Sequence, residues 1–179
     1  QLAGIYKALR FNRRLILAPT GSGKSLIIYC LVRWHRQFNR EVLIIVPTTS
    51  LVEQLYKDFE KYGYYAKGEV HRIYGGKDRK TELPVVISTW QSIYKEPKSY
   101  YNRFDCVIGD EAHLYKAKSL TSILTKCFDV KYRVGLTGTL DGLQCHQLVL
   151  EGLFGPVERH IKTAELQKQG HLSDLKINI

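Results

Sequence analysis

Short runs of β-branched and aliphatic residues at 15–18, 42–46, 70–73, 85–88, 106–108 and 133–136 alternate with helix-length amphipathic segments at 25–38, 49–62, 116–128 and 143–153. Runs of that length and composition read as buried strands. Strand and helix in alternation predict an α/β fold, a mostly parallel sheet with helices on both faces, whose ligands bind outside the carboxyl ends of the strands. Residues that carry chemistry should therefore follow strands. With 179 residues, 44% hydrophobic and 25% charged, the chain fits one domain around one core and leaves no room for a second. The longest apolar stretch is the seven residues 26–32, far short of the ~20 that cross a bilayer, so no membrane partner is expected. The chain opens on Gln1 and contains no methionine, and the expectation is that 1–179 is a segment of something longer.

The first strand runs directly into A-P-T-G-S-G-K-S, residues 18–25, which opens an apolar helix. Two glycines beside a helix start make a phosphate-binding loop. Gly21 and Gly23 permit positive φ, so that the backbone of Thr20, Gly21, Ser22 and Gly23 can turn its N–H groups onto phosphate oxygens beside the positive end of the new helix. Lys24 is then placed for the β- and γ-phosphates of ATP, and the Ser25 hydroxyl for Mg²⁺. Ala18 stands where the general pattern asks for glycine.

The fifth strand ends in I-G-D-E-A-H, with Asp110 and Glu111 adjacent. Neighbouring carboxylates at a strand end repel unless a cation sits there. Asp110 is the candidate second Mg²⁺ ligand, opposite Ser25, and Glu111 the candidate base that orients and deprotonates an attacking water. A chance D-E-A-H in a chain of this length has a probability on the order of 10⁻³ from average composition. A phosphate loop upstream makes coincidence weaker still.

Net charge is +10, and residues 1–80 carry 15 Lys/Arg against 6 Asp/Glu, leaving 12 against 11 for the rest. A basic half of this kind suits a polyanion such as nucleic acid. Cys30, Cys106, Cys127 and Cys145 form no C-x-x-C pair and read as free, mostly buried thiols of a reducing, intracellular (cytoplasmic) setting.

Taken in order, A-P-T-G-S-G-K-S, I-V-P-T-T-S-L-V-E-Q (45–54), I-S-T-W-Q-S (87–92), D-E-A-H (110–113) and G-L-T-G-T-L (135–140) resemble motifs I, Ia, Ic, II and III of the superfamily 2 DEAH-box helicases. The resemblance covers nearly the whole chain. Within the superfamily, N-R-R-L-I-L (12–17), L-I-I-V-P-T-T (43–49), S-T-W-Q-S (88–92) and D-L-K-I-N-I (174–179) look most like the recombination and branch-migration DNA helicases of T4-like phages. It implies a first RecA-like P-loop domain that couples ATP hydrolysis to movement on, or remodelling of, branched DNA.

The resemblance also implies roles. Gln1 would recognise adenine, and Pro47, Thr48, Thr49 and Gln54 would hold one nucleic-acid strand by its phosphates. Gly75 and Gly76 would form a second backbone contact, and Thr89 and Gln91 a third. His113, Thr137, Gly138 and Thr139 would couple the γ-phosphate to the strand-binding groove. A second RecA-like domain in the same full-length chain would supply an arginine finger, worth about 10³ to 10⁵ in rate, so the segment alone should hydrolyse ATP weakly. An RNA helicase or a restriction-enzyme motor subunit shares these motifs. A small-molecule P-loop kinase would leave D-E-A-H and T-G-T unexplained, and a noncatalytic nucleic-acid-binding module would leave Lys24, Asp110 and Glu111 without a task.

Overall fold

The structure is a computed structural model that describes residues 6, 9–19, 22–116, 118–139 and 144–159. In chain order the elements are β1 (Arg13–Leu17), α1 (Lys24–Arg36), β2 (Val42–Val46), α2 (Thr49–Lys61), α3 (Ala66–Glu69), β3 (Val70–Ile73) and β4 (Val85–Thr89). There follow α4 (Trp90–Ile93), α5 (Lys98–Tyr101), β5 (Cys106–Gly109), a 3-10 turn (Ala112–Lys116), α6 (Lys118–Lys126), β6 (Tyr132–Thr137), α7 (Gln144–Phe154) and β7 (Val157–Arg159). The strands form one sheet in the order β3-β4-β2-β5-β6-β1-β7, and every described pair is parallel.

The period of two in a strand divides the core into two layers. All of β2 is buried. Val42, Ile44 and Val46 face Ile27 and Leu31 of α1 and Val52 and Phe59 of α2, while Leu43 and Ile45 join Ile93, Tyr101, Ile123 and Phe154 from α4 to α7. Both faces are thus covered by helices, as the alternation predicted. Helix α2 starts where Thr48, in extended conformation, accepts a hydrogen bond on its hydroxyl from the Leu51 N–H at 3.3 Å. Its buried stripe of Val52, Leu55 and Phe59 fixes the face it turns to the sheet. Each such burial contributes about 1.5 to 3 kcal/mol.

Gly135 in β6 has a steric reason. A Cβ there would lie 2.8 Å from the Phe154 ring and 2.9 Å from Leu15 Cδ1, so a side chain would drive α7 off the sheet. Arg133, one strand position before Val134, is buried at 3% exposure. Its guanidinium donates to the Phe128 carbonyl just beyond α6 and to Leu153 in the last turn of α7, both at 3.3 Å, a cation at two helix C-termini.

The expected strands and long helices are present with ends moved by a few residues. The helix expected over 116–128 is α6, Lys118–Lys126, and the 3-10 turn Ala112–Lys116 precedes it. Three short helices and β7 were not expected; each has four residues or fewer, too short to show a period. The glycine- and charge-rich loop 74–81 is pinned by side chains: Arg79 donates to Glu96 at 2.9 Å and His71 Nε2 to the Asp78 carbonyl at 2.8 Å. Among the described residues no helix is long and apolar enough to cross a membrane.

Candidate nucleotide and nucleic-acid site

The ends of β1, β6 and β5 lie side by side, so the segments that follow them meet. The Ala18 N–H donates to the Thr137 carbonyl at 2.8 Å, and the Asp110 N–H to Ile45 at 2.9 Å, which ties the loop after each strand to its neighbour. Gly23 takes φ +79°, ψ +41° as the N-cap of α1, a left-handed conformation that costs an L side chain about 1–2 kcal/mol. No side chain caps this helix, and its first turn holds no acidic residue. Its N-terminal N–H groups and dipole are therefore directed to an anion from outside the helix. Gln1, Thr20 and Gly21 lie outside the described residues.

Lys24 Nζ donates to Glu111 Oε1 at 2.5 Å across 87 positions of sequence. Glu111 holds φ +49°, and its N–H donates to Asp110 Oδ1 at 2.9 Å. A left-handed glutamate is strained, and this one persists because both its side chain and its N–H are held. Asp110 is 9% exposed. Burial pushes its carboxyl above the ordinary carboxylate range; the Lys24 ammonium opposes the shift and the Glu111 carboxylate adds to it.

His113 Nδ1 lies 2.9 Å from Thr137 Oγ1 and 3.4 Å from Glu111 Oε2. The single Thr137 hydroxyl proton goes to the Thr139 carbonyl at 2.7 Å. Nδ1 must therefore carry a proton and donate, which fixes the tautomer. One imidazole thus touches both the carboxylate of D-E-A-H and the hydroxyl of T-G-T. Gly138 lies between the two threonines, half-buried.

A cleft of about 420 Å³ opens over these groups, lined by Gly23, Lys24, Ser25, Gln54, Asp110 and Glu111 among others. The Ser25 hydroxyl and the Asp110 carboxylate are hard oxygen donors, and a cation would stabilise a carboxylate that burial disfavours as an ion. Among the described residues no cluster of three or more His, Cys, Asp or Glu is arranged for a metal, so phosphate and water oxygens would complete such a shell. Gln54 was expected beside a nucleic-acid strand; it is exposed on α2 and borders this cleft. Tyr62, at the C-cap of α2, had no motif to announce it, and its hydroxyl is 3.1 Å from Ser25 Oγ.

The other expected contacts follow β2, β3 and β4. Thr48 and Thr49 are exposed at the start of α2, and Pro47 is half-buried with its carbonyl accepting from Gln91 Nε2 at 3.4 Å. Gly75 and Gly76 are exposed after β3 with φ +53° and +84°, and nothing lies within 4 Å of a Cβ at either. Thr89 is 5% exposed and its hydroxyl pairs with Ser92 at 2.9 Å, so it helps shape this edge from within. Trp90 packs against the core and edge-on to Tyr94.

The family described as type III restriction enzyme, res subunit, matches residues 4–142, a span that holds both the loop before α1 and the D-E-A-H after β5. The chain belongs to that family. Res-subunit membership agrees with the superfamily 2 motif order read from the sequence. The chain is similar to the ATP-dependent DNA helicase UvsW of Enterobacteria phage T4, 33% identical over 183 residues, covering 99% of this chain and 36% of that protein. A crystal structure of UvsW superposes with a TM-score of 0.79 at 34% identity, over 88% of this chain and 58% of the other. The helicase domain of Pyrococcus furiosus Hef shares the fold at a TM-score of 0.73 and 20% identity, covering 87% of this chain and 36% of that one. This RecA-like fold is the one expected from the alternation and the motifs. The chain spans about a third of the length of the curated relatives it matches.

Proposed function

We propose that residues 1–179 are the first RecA-like domain of an ATP-dependent DNA helicase or translocase that acts on branched DNA, with a second RecA-like domain in the same full-length chain. The observation that carries this reading is the 2.5 Å contact between Lys24 and Glu111, which joins the loop after β1 to the D-E-A-H after β5. The likeness to UvsW, an ATP-dependent DNA helicase, supports it.

Gln1 recognises adenine in this reading, and the backbone of Thr20, Gly21, Ser22 and Gly23 cradles the phosphates. Phosphate competes with Glu111 for the Lys24 ammonium, a charge-assisted contact worth about 1.5–3 kcal/mol. When Lys24 turns to phosphate, the released Glu111 carboxylate accepts the proton of the attacking water. Mg²⁺ held by Ser25 and Asp110 would neutralise charge on the β- and γ-phosphates. His113, bonded to Thr137 and close to Glu111, passes a change in that carboxylate to Thr137, Gly138 and Thr139. Pro47, Thr48, Thr49, Gly75, Gly76, Thr89 and Gln91 form the strand-binding edge, with Gln54 between it and the cleft. Contacts of that kind go to phosphate and sugar.

The test is ATP hydrolysis by the full-length protein with no DNA, with linear duplex and with a branched junction. The junction should stimulate turnover most and be unwound. A rate indifferent to all DNA, with no unwinding, would contradict the proposal. The res-subunit description favours a second reading, the motor of a restriction enzyme, for which linear duplex should stimulate at least as well as the junction.

A further inference from the structure

Tyr62 lies 37 positions from Ser25, outside every motif, yet its hydroxyl is within hydrogen-bond distance of the Ser25 hydroxyl at 3.1 Å. Its placement is determined twice. The Tyr29 hydroxyl, one helical turn beyond Ser25 on α1, donates to the Tyr62 carbonyl at 2.8 Å. The two rings also pack at 5.0 Å between centroids, and Tyr29 is itself wedged against Phe59 and Tyr64. The Tyr62 N–H donates to Asp58 and closes the last turn of α2. With main chain and ring both held, the hydroxyl has one direction to point, toward the start of α1.

We propose that Tyr62 is a positioning residue for the Ser25 hydroxyl. This rests on the reading above, in which Ser25 is a Mg²⁺ ligand. A serine that lends a lone pair to a cation keeps its proton and must place it on an acceptor. Tyr62 Oη is that acceptor; taking the proton to one side aims the Ser25 lone pair to the other, the way outer partners orient the ligands of a metal. The same tyrosine ends the helix whose first residues, Thr48 and Thr49, stand on the proposed strand-binding edge.

The experiment measures ADP affinity by calorimetry in the full-length protein, with MgCl₂ and with EDTA, for the parent, Tyr62→Phe, Ser25→Ala and the double variant. Phenylalanine keeps the ring against Tyr29 and removes only the hydroxyl. Tyr62→Phe should lower ADP affinity in MgCl₂ by about three- to tenfold, the span of one hydrogen bond to an outer-shell partner. Affinity in EDTA should stay within twofold of the parent. In the Ser25→Ala background the Tyr62 substitution should add nothing, since the pair acts as a unit. Equal Mg²⁺-dependent affinity in parent and Tyr62→Phe overturns the inference and leaves the nucleotide reading intact. An equal loss in MgCl₂ and EDTA also overturns it, because that pattern marks a packing role. A parent that binds no ADP under either condition removes the nucleotide reading itself.

Discussion

The two ends of the sheet are built on opposite terms. At the amino ends of β2, β4 and β5, charge is matched within the protein. Arg103 donates to Glu41, to the Thr81 carbonyl and to the Leu83 carbonyl, lacing together the entries to β2, β4 and β5. The Glu41 N–H donates to Asp105 at 2.9 Å, and the Arg40 guanidinium covers the rings of Phe38 and Tyr132. Buried His35 accepts from Arg40 at 3.4 Å and stays neutral, its pKa lowered to about 4 by burial and by the Arg40 charge. At the carboxyl ends the protein holds an uncapped helix start, a glutamate in left-handed conformation and a buried carboxylate that its surroundings disfavour as an ion. The amino end engages its polar groups with one another, whereas the carboxyl end holds groups that the fold alone leaves uncapped, strained or disfavoured.

Substitutions at the two ends should therefore separate activity from stability. The largest effect is expected from Glu111→Gln in the full-length protein: loss of a general base should lower kcat at least 10²-fold, while ADP affinity is not weakened. Steady-state kinetics with calorimetry reads both. Next, Arg103→Met at the other end should lower unfolding free energy by about 2 kcal/mol by orphaning Glu41 and two carbonyls, with ADP affinity within twofold of the parent. Urea titration measures it; an equal loss of stability in Glu111→Gln would erase the contrast.

The smallest effect concerns pH. His35 has its pKa lowered from 6.5 to about 4, so below pH 6.5 the unfolded chain binds a proton that the folded chain refuses. Stability is complete above pH 6.5 and falls as pH drops toward 4, by about 1 kcal/mol at pH 5.5. Between pH 7 and 5.5 the parent should lose more stability than His35→Gln. Parallel pH profiles would place the acid-sensitive group elsewhere.

Much of this is legible in the sequence alone. Five-residue aliphatic runs such as 42–46 announce strands covered on both faces, and the stripe of Val52, Leu55 and Phe59 announces α2. Motif spacing brought Lys24, Asp110, Glu111, His113 and Thr137 to neighbouring strand ends, because loops after adjacent parallel strands must meet. Tyr62 was not legible, since a helix C-cap reaching a serine 37 residues away leaves no local pattern. Neither were Arg103 and Arg133, whose partners are mostly carbonyls supplied by topology. In the loop after β3, Arg79 is engaged by Glu96, and Lys77 lies 4.0 Å from Glu53, so the excess of base over acid in residues 1–80 does not leave these charges unpaired. Sequence shows the sign of such charges and not their partners.

A nucleotide held at the carboxyl end of the sheet by the loop before α1 would make Lys24 exchange Glu111 for phosphate. ADP titration of the full-length parent and Lys24→Ala in MgCl₂ tests it most directly. Lys24→Ala should bind at least tenfold more weakly, as loss of a charge-assisted contact requires. Unchanged affinity would contradict it.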